Sequence, residues 1–359
     1  YLRVLNGYLM KTKIFVARAG SGKSTYATQK CIEFENKRVL FITYTKTNVR
    51  VLRRKLRITP ILFRFQKVMS WFDFVLDDMI SPILSSKLST KKIDWDRNAW
   101  HYDNWWNERN ELYGYKISKI ALDDTLFKFA LKRLNKFYDY IVIDEFQDIT
   151  GEDLTLLGSL INATLDLPIQ IYMFGDLYQA NVQRSNTTSL FKSTVQIADE
   201  EKYIYETYGS KNRIIINKHD LLTSHRIGKQ VAEFISKKLN IEIRSENEKG
   251  RVLPENMNKI PQNSNEIIPI FDNVSRILVY NSKVLRSSRY KIYRNKIVNW
   301  GMSKGETYED IAVVLTKRTF EILTKNKDIS TLKAQTLNKF YVALTRASGN
   351  VYLVYPSKK

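Results

Sequence analysis

Short apolar runs, rich in β-branched and aromatic residues and broken off by polar ones, recur along the chain at residues 13–16, 141–144, 169–174 and 350–355. Runs of this length with polar boundaries predict strands buried in a parallel sheet. The segment after residue 22 is compatible with a helix as far as Glu35, and residues 341–347 predict a helix leading into the last strand. Strands alternating with helices define an α/β class. In such sheets ligands bind beyond the carboxyl ends of the strands, so the residues that follow each run carry the chemistry.

After Ile141-Val142-Ile143 come Asp144 and Glu145, then Gln147 and Asp148. By itself this fits either a binding site or a strand ending in a solvated acidic turn. The first strand breaks the tie. It runs into Ala17-Arg18-Ala19-Gly20-Ser21-Gly22-Lys23-Ser24-Thr25, a phosphate-binding loop in its strand-to-helix context with Ala17 in the place of the first glycine. Gly20 and Gly22 let backbone amides face phosphate oxygens, Lys23 reaches the β- and γ-phosphates, and the Ser24 hydroxyl is a Mg²⁺ ligand. Asp144 then holds the metal and Glu145 polarises the attacking water. Beyond residues 169–174 lies Gly175-Asp176-Leu177-Tyr178-Gln179, where Gln179 is a candidate sensor of the γ-phosphate or of that water, and Arg346 is a candidate arginine finger.

Charge adds a second partner. Lysines and arginines number 58 against 37 acids, a net charge of +21, and they cluster. No acid lies between Glu35 and Asp73, between Asn273 and Gly305, or after Asp328, while these stretches hold many cations, among them Arg50, Arg53, Arg54, Lys291 and Arg294. An AT-rich coding sequence yields a Lys-rich protein with charges everywhere; clustering instead predicts a polyanion-binding face. The 359 residues suffice for two domains. No apolar stretch approaches the roughly 20 residues needed to span a bilayer, and the single cysteine, Cys31, fits a reducing compartment. A soluble cytoplasmic protein without membrane contact is expected, and Met10 is a candidate start. Three scattered histidines, His101, His219 and His225, make a Cys/His zinc site a poor expectation.

Taken in order, these motifs resemble those of superfamily 1 helicases of the UvrD/Rep type, over nearly the whole chain. The strings Asp-Glu-Phe-Gln-Asp at 144–148 and Val-Ala-Leu-Thr-Arg-Ala at 342–347 are the most specific. The resemblance implies two RecA-like domains with ATP between them and a nucleic-acid strand across both. Residues 43–48 and 68–74 match the family's first strand-contacting segments, which makes Thr45, Asn48 and Trp71 strand contacts. Arg226, in Leu222-Thr223-Ser224-His225-Arg226, would touch the γ-phosphate. Ser303-Lys304-Gly305-Glu306-Thr307-Tyr308 would couple nucleotide to strand, with Ser303 and Lys304 on the strand and Gly305 at the nucleotide. The family's adenine-reading glutamine before the first strand is missing, since the first glutamine is Gln29; Arg184 stands where a base-stacking aromatic is usual; Gly301 and Thr307 replace a common histidine and a ribose-binding glutamate.

The expected domains are residues 1–75 with 125–202, a small mostly helical accessory insertion at 76–124, and a second RecA-like domain at 203–359. The insertion holds Trp95, Trp100, Trp105 and Trp106, which either stack on bases or, as a small domain's need for a core favours, pack inside it. Only 76 residues separate Arg226 from Ser303, too few for a large second accessory domain. The function implied is an ATP- and Mg²⁺-dependent translocase or helicase on single-stranded DNA, moving 3′ to 5′. Other readings are an RNA-dependent motor and a nucleotide-switched binding module that recruits an effector such as a nuclease, in replication, repair or defence.

Overall fold

A computed structural model describes residues 12–30, 34–57, 64–84, 92–180, 197–281 and 288–357. Met10, Cys31 and Arg184 lie outside the described residues, as does the side chain of Trp100. The strands of the first half are β1 (Thr12–Val16), β2 (Arg38–Thr43), β3 (Phe65–Ser70), β4 (Ile93–Asp94), β5 (Leu112–Tyr113), β6 (Tyr140–Asp144), β7 (Gln170–Gly175) and β8 (Ile214–Asn217). Among the described residues, six of them form a parallel sheet in the order β3-β2-β6-β7-β1-β8. The second sheet is also parallel: β9 (Val252–Leu253), β10 (Arg276–Val279), β11 (Ile297–Asn299), β12 (Ile311–Val314) and β13 (Val351–Val354), in the order β11-β10-β12-β13-β9. Two parallel sheets in an α/β chain are the architecture expected of paired RecA-like units.

Alternation along each strand explains why both faces are covered. Leu40 and Ile42 of β2, with Ile141 and Ile143 of β6, point into one core. Their neighbours Val39, Phe41 and Val142 point into another, closed by Val49, Leu52 and Leu56 of the helix Lys46–Arg57. The second sheet repeats this, Leu278, Val313 and Leu353 on one side and Ile277, Val314 and Val354 on the other. A sheet buried on both faces needs apolar residues at every position, which is what made these strands readable as continuous runs.

Register then brings the chemistry to one edge. Thr43 is paired with Asp144, Asp144 with Phe174, and Val16 with Gly175, so β1, β2, β6 and β7 end level with one another. Every motif that follows those strands emerges at the same rim.

Two expectations are corrected. The boundary at 202/203 cuts a sheet unit, because β8 pairs with β1 and the helix Glu200–Tyr208 packs Ile204 and Tyr208 into the first core. The first unit therefore extends at least to Asn217. Among its described residues the accessory insertion has no core of its own: Ile80, Leu84, Leu112, Ile117 and Ile120 belong to the cluster beneath the first sheet. Trp105 and Trp106 are partly buried against that cluster, whereas Trp95 is 49% exposed and lies against Phe72 with ring centroids 5.2 Å apart. Besides helices the insertion holds the two-stranded parallel pair β4 and β5.

Trp71 is the sharpest correction. Expected on a nucleic-acid strand, it is 2% exposed, its ring 5.6 Å from Phe74 at the start of a helical segment begun by Ser70, whose hydroxyl caps the Asp73 amide at 3.2 Å. The apolar sequence around it, Phe72 to Ile80, folds back onto the sheet and takes the indole with it. Trp71→Ala should therefore lower unfolding free energy by about 3–5 kcal/mol in urea titrations, as large-to-small core changes do. A loss within about 0.5 kcal/mol, the range of an exposed position, would return Trp71 to the surface.

Candidate nucleotide site

β1 ends at Val16 and the loop that follows wraps the start of the helix Lys23–Lys30. Ala17 is buried and its amide donates to the Gly175 carbonyl at 2.7 Å, tying the loop to β7. Gly20 has φ +77°, and a Cβ there would stand 2.6 Å from Arg226 Cβ and 2.7 Å from Ser224 Oγ. Glycine is thus required twice over, by the left-handed backbone and by the close approach of another segment. The buried Ser21 hydroxyl has no hydrogen-bond partner among the described residues, although it lines the cavity this loop encloses. A buried hydroxyl without a partner is costly unless a ligand supplies one.

That cavity measures about 420 Å³ and both units wall it. From the first unit, Lys23 Nζ lies 3.4 Å from Asp144 Oδ1 and is hydrogen-bonded to Glu145; the Ser24 hydroxyl is 3.3 Å from Asp144 Oδ2. Glu145 itself occupies the left-handed region at φ 59°, which swings its carboxylate out of line with β6, and Gln147 donates to it from the next turn. Burial works to raise the Glu145 carboxyl, but Lys23 and then Lys304 outweigh it and hold Glu145 well below the usual carboxylate range. Asp144, more affected by burial than helped by Lys23, is shifted upwards. The neighbours thus differ in electrostatics as they do in role.

From the second unit come Arg226, Arg346 and Lys304. Arg226 Nη1 donates to the Thr345 carbonyl at 3.3 Å. Arg346 is 1% exposed and its guanidinium is held at three points, Val342 O at 3.0 Å, Glu306 O at 3.3 Å and Thr345 Oγ1 at 3.1 Å. All three partners are neutral. Burial, and then repulsion from Arg226, pushes Arg346 down to about 9. Two desolvated arginines facing one cavity are a site that an anion relieves. Gln179 joins them, its amide nitrogen 2.7 Å from Asp176 Oδ2, and Gly305, at φ +93°, lines the same space.

Lys304 departs from expectation. Rather than facing a strand, its Nζ lies 2.8 Å from Asp148 Oδ2, 3.5 Å from Glu145 Oε2 and 3.2 Å from the Gln179 carbonyl, so it crosses from the second unit into the acid cluster of the first. The link from Asp148 to the turn at 175–179 runs through this lysine. Ser303, also expected on a strand, is fully buried and donates to the Trp300 carbonyl at 2.7 Å, back across the helical turn Gly301–Ser303. Thr45 and Asn48 line the nucleotide cavity, where the Thr45 hydroxyl accepts from the Asn48 amide at 3.2 Å and starts the helix Lys46–Arg57. Thr25, at the cavity's edge, accepts from Lys55 at 3.3 Å.

Residues not singled out from sequence also belong to the site. Lys55 lines the cavity, and burial lowers it from the usual lysine range. Tyr341 donates to Asp176 Oδ2 at 3.0 Å and accepts from the Ala19 amide at 3.1 Å, joining the two units behind the loop. Arg18 was readable in principle, as the one long cation besides Lys23 inside a loop of small residues. The Ser24 hydroxyl and the Asp144 carboxylate, 3.3 Å apart beside Lys23, are hard oxygen donors suited to a divalent cation. No group of three or more His, Cys, Asp or Glu suited to a metal occurs among the described residues. Mg²⁺ bound mainly through phosphates and water needs no more than that pair.

No family model matches the sequence, and no curated protein matches it. Solved structures similar to it include the helicase of the virus PRRSV, at 11% identity and TM-score 0.46 over 97% of this chain and 53% of that one. Another is arterivirus nonstructural protein 10, a helicase, in complex with DNA, at 11% identity and TM-score 0.47 over 97% of this chain and 62% of that one. A third is Pif1 of a Bacteroides species with ADP-AlF4, at 11% identity and TM-score 0.45 over 96% and 88%. The chain thus spans between half and two thirds of those viral helicase chains. Among its described residues no helix is long and apolar enough to cross a membrane.

Burial, opposed by Lys304, pushes Asp148 up to about 6. Above that pH the carboxylate is charged and holds Lys304; below it the pair loses its anion. Any nucleotide turnover at this site should accordingly fall as pH drops from 7 through 6, and Asp148→Asn should remove that inflection. A steady-state pH profile with the same inflection in both proteins would place its origin elsewhere.

Proposed function

We propose that this chain is an ATP-driven motor on single-stranded DNA, a superfamily 1 helicase or translocase of the UvrD/Rep type working 3′ to 5′. The observation that carries the reading is the convergence, in one cavity, of Lys23 and Glu145 from the first unit, with Asp144 beside Lys23, and Arg226 and Arg346 from the second. A site divided in this way turns over only when both halves meet, and relative motion of the halves is what a motor extracts.

The triphosphate would lie along the loop, its anionic oxygens taking the amides after Gly20, the Ser21 hydroxyl and the Lys23 ammonium. Lys23 would exchange its carboxylate partners for phosphate. Glu145, unprotonated across the neutral range, is the base that orients water in line with the γ-phosphate and accepts its proton. Arg226 and Arg346 would meet the charge that spreads over the transferring phosphoryl group, and their rigid attachment to main-chain oxygens spares reorganisation. Mg²⁺ held by Ser24 and Asp144 would neutralise the β- and γ-oxygens. Gln179, hydrogen-bonded to Asp176, would report the presence of the γ-phosphate to the second unit.

The strand partner rests on charge. Lys46, Arg50, Arg53, Arg54 and Arg57 are exposed along one helix, beside the cavity and in a stretch of sequence without an acid. Such a face recruits phosphates and releases counterions.

Lys23→Ala should abolish strand-stimulated ATP hydrolysis. Glu145→Gln should bind nucleotide yet turn over at least about a hundredfold more slowly, as the loss of a general base predicts. Arg346→Ala should cost about a thousandfold or more in kcat, the scale of an arginine finger. Wild-type turnover in either of the first two variants, with or without single-stranded DNA, would sink the assignment. Affinity for the strand should fall steeply with salt, each phosphate contact adding about 0.7 to the slope of log affinity against log salt.

A further inference from the structure

Arg18 is the second residue of the phosphate loop and only 3% exposed. Its guanidinium meets partners from four places at once. Nη2 lies 2.6 Å from Glu200 Oε1, Nη1 lies 3.3 Å from the Ala17 carbonyl, Nε donates to the Glu242 carbonyl, and the guanidinium carbon lies 5.4 Å from the Tyr178 ring centre. Ala17 is the loop itself. Tyr178 belongs to the turn that presents Gln179, and Glu200 begins the helix Glu200–Tyr208 of the first unit. Glu242 belongs to the second unit, between Ile241 and Ile243, which are both in that unit's core.

The loop backbone is gripped along the same stretch. The Arg18 amide donates to Leu221 O at 2.9 Å, the Ala19 amide to the Tyr341 hydroxyl at 3.1 Å, and the Gly20 carbonyl accepts from the His225 amide at 2.9 Å. Ala19 and Tyr178 pack inside the second unit's core with Ile227 and Tyr341. Within this seam Arg18, from the first unit, spans both units as Tyr341 and Lys304 do from the second. A guanidinium can serve a carboxylate and a carbonyl at once from its rigid fork, which an ammonium on a flexible stem cannot.

We propose that Arg18 is a positioning residue that interlocks the phosphate loop with the second unit, so that closure of the cleft and setting of the loop are one event. Separation of the units takes the Glu242 carbonyl away from Nε and leaves the guanidinium with first-unit partners alone. The loop then loses its side-chain anchor on the second unit while keeping its contacts to Tyr178 and Glu200. Nothing in the chemistry of phosphate binding asks for an arginine at this position; the geometry of the seam does.

The inference rests on the reading of this site as an ATPase for its kinetic arm only. In the full chain, Arg18→Ala should raise KM for ATP about tenfold or more while kcat falls no more than about threefold, the pattern of lost ground-state positioning. In small-angle scattering with a non-hydrolysable ATP analogue, it should show a larger radius of gyration than the wild type. Arg18→Lys keeps a charge opposite Glu200 without the fork, so it should match the wild type in thermal stability and the alanine variant in KM and scattering. A wild-type scattering curve and KM in Arg18→Ala would overturn the interlock. So would full rescue by lysine, which would reduce Arg18 to a counter-ion for Glu200. If the wild-type chain hydrolyses no ATP, the ATPase reading fails, while scattering of the same three proteins without nucleotide still decides the interlock.

Discussion

Charge matching across a buried seam governs this molecule. Asp144, Glu145, Asp148 and Asp176 stand on the first unit; Arg226, Lys304 and Arg346 approach from the second, and Lys23 stands between them. Desolvation alone would make each of these groups expensive to ionise. Each has been brought within reach of an opposite charge or a polar partner, and the strand register does the bringing on the first unit. A buried ion pair adds little net stability over an apolar pair of the same shape, yet it rejects every misaligned arrangement. The two sheets can therefore meet in one way only if their charges are to be satisfied.

Such a seam is suited to exchange. Lys23 and Glu145 satisfy one another, Lys304 satisfies Asp148, and Arg226 and Arg346 rest on neutral oxygens. A triphosphate offers the cations a stronger partner and gives the carboxylates a water to hold. On the proposed reading, binding would rearrange existing contacts instead of creating a site from nothing, and motion of the second unit would be coupled to the nucleotide through side chains that touch both units, Lys304 and Tyr341 among them.

Strands of both sheets, at 13–16, 141–144, 169–174 and 350–355, could be read from the chain because burial on both faces demands uninterrupted apolar runs, and the phosphate loop because its spacing admits few alternatives; the rest of the second sheet was implied by resemblance. Glu145, Gln179, Arg226 and Arg346 were placed by their position after strands or within a recognisable string, and all four line one cavity, with Asp144 beside Lys23. Positions read by similarity of a short segment fared less well. Trp71 and Ser303 look exposed in a motif but are drawn inwards by the apolar residues beside them, and a local string does not state which face of a turn is buried. Lys304 and Arg18 have partners more than 150 residues distant in sequence, Asp148 and Glu200 respectively. Pairings across that separation depend on how two sheets dock, which no local pattern records. The boundary at 202/203 failed for the same reason: β8 is a short edge strand whose partner, β1, lies at the other end of the first unit.

The segment that interrupts the first unit between β3 and β6 offers a last consequence. Its apolar side chains share a core with Ile141 and Met173 beneath the sheet, and the helix Asp124–Phe137 that closes it leads directly into β6. In folding terms it is not a module but part of one cooperative unit. Its amides should exchange hydrogen on the timescale of global unfolding rather than local opening. Evolution could then lengthen or shorten its loops, but could not discard it without also disturbing the strand that ends at Asp144, next to Glu145.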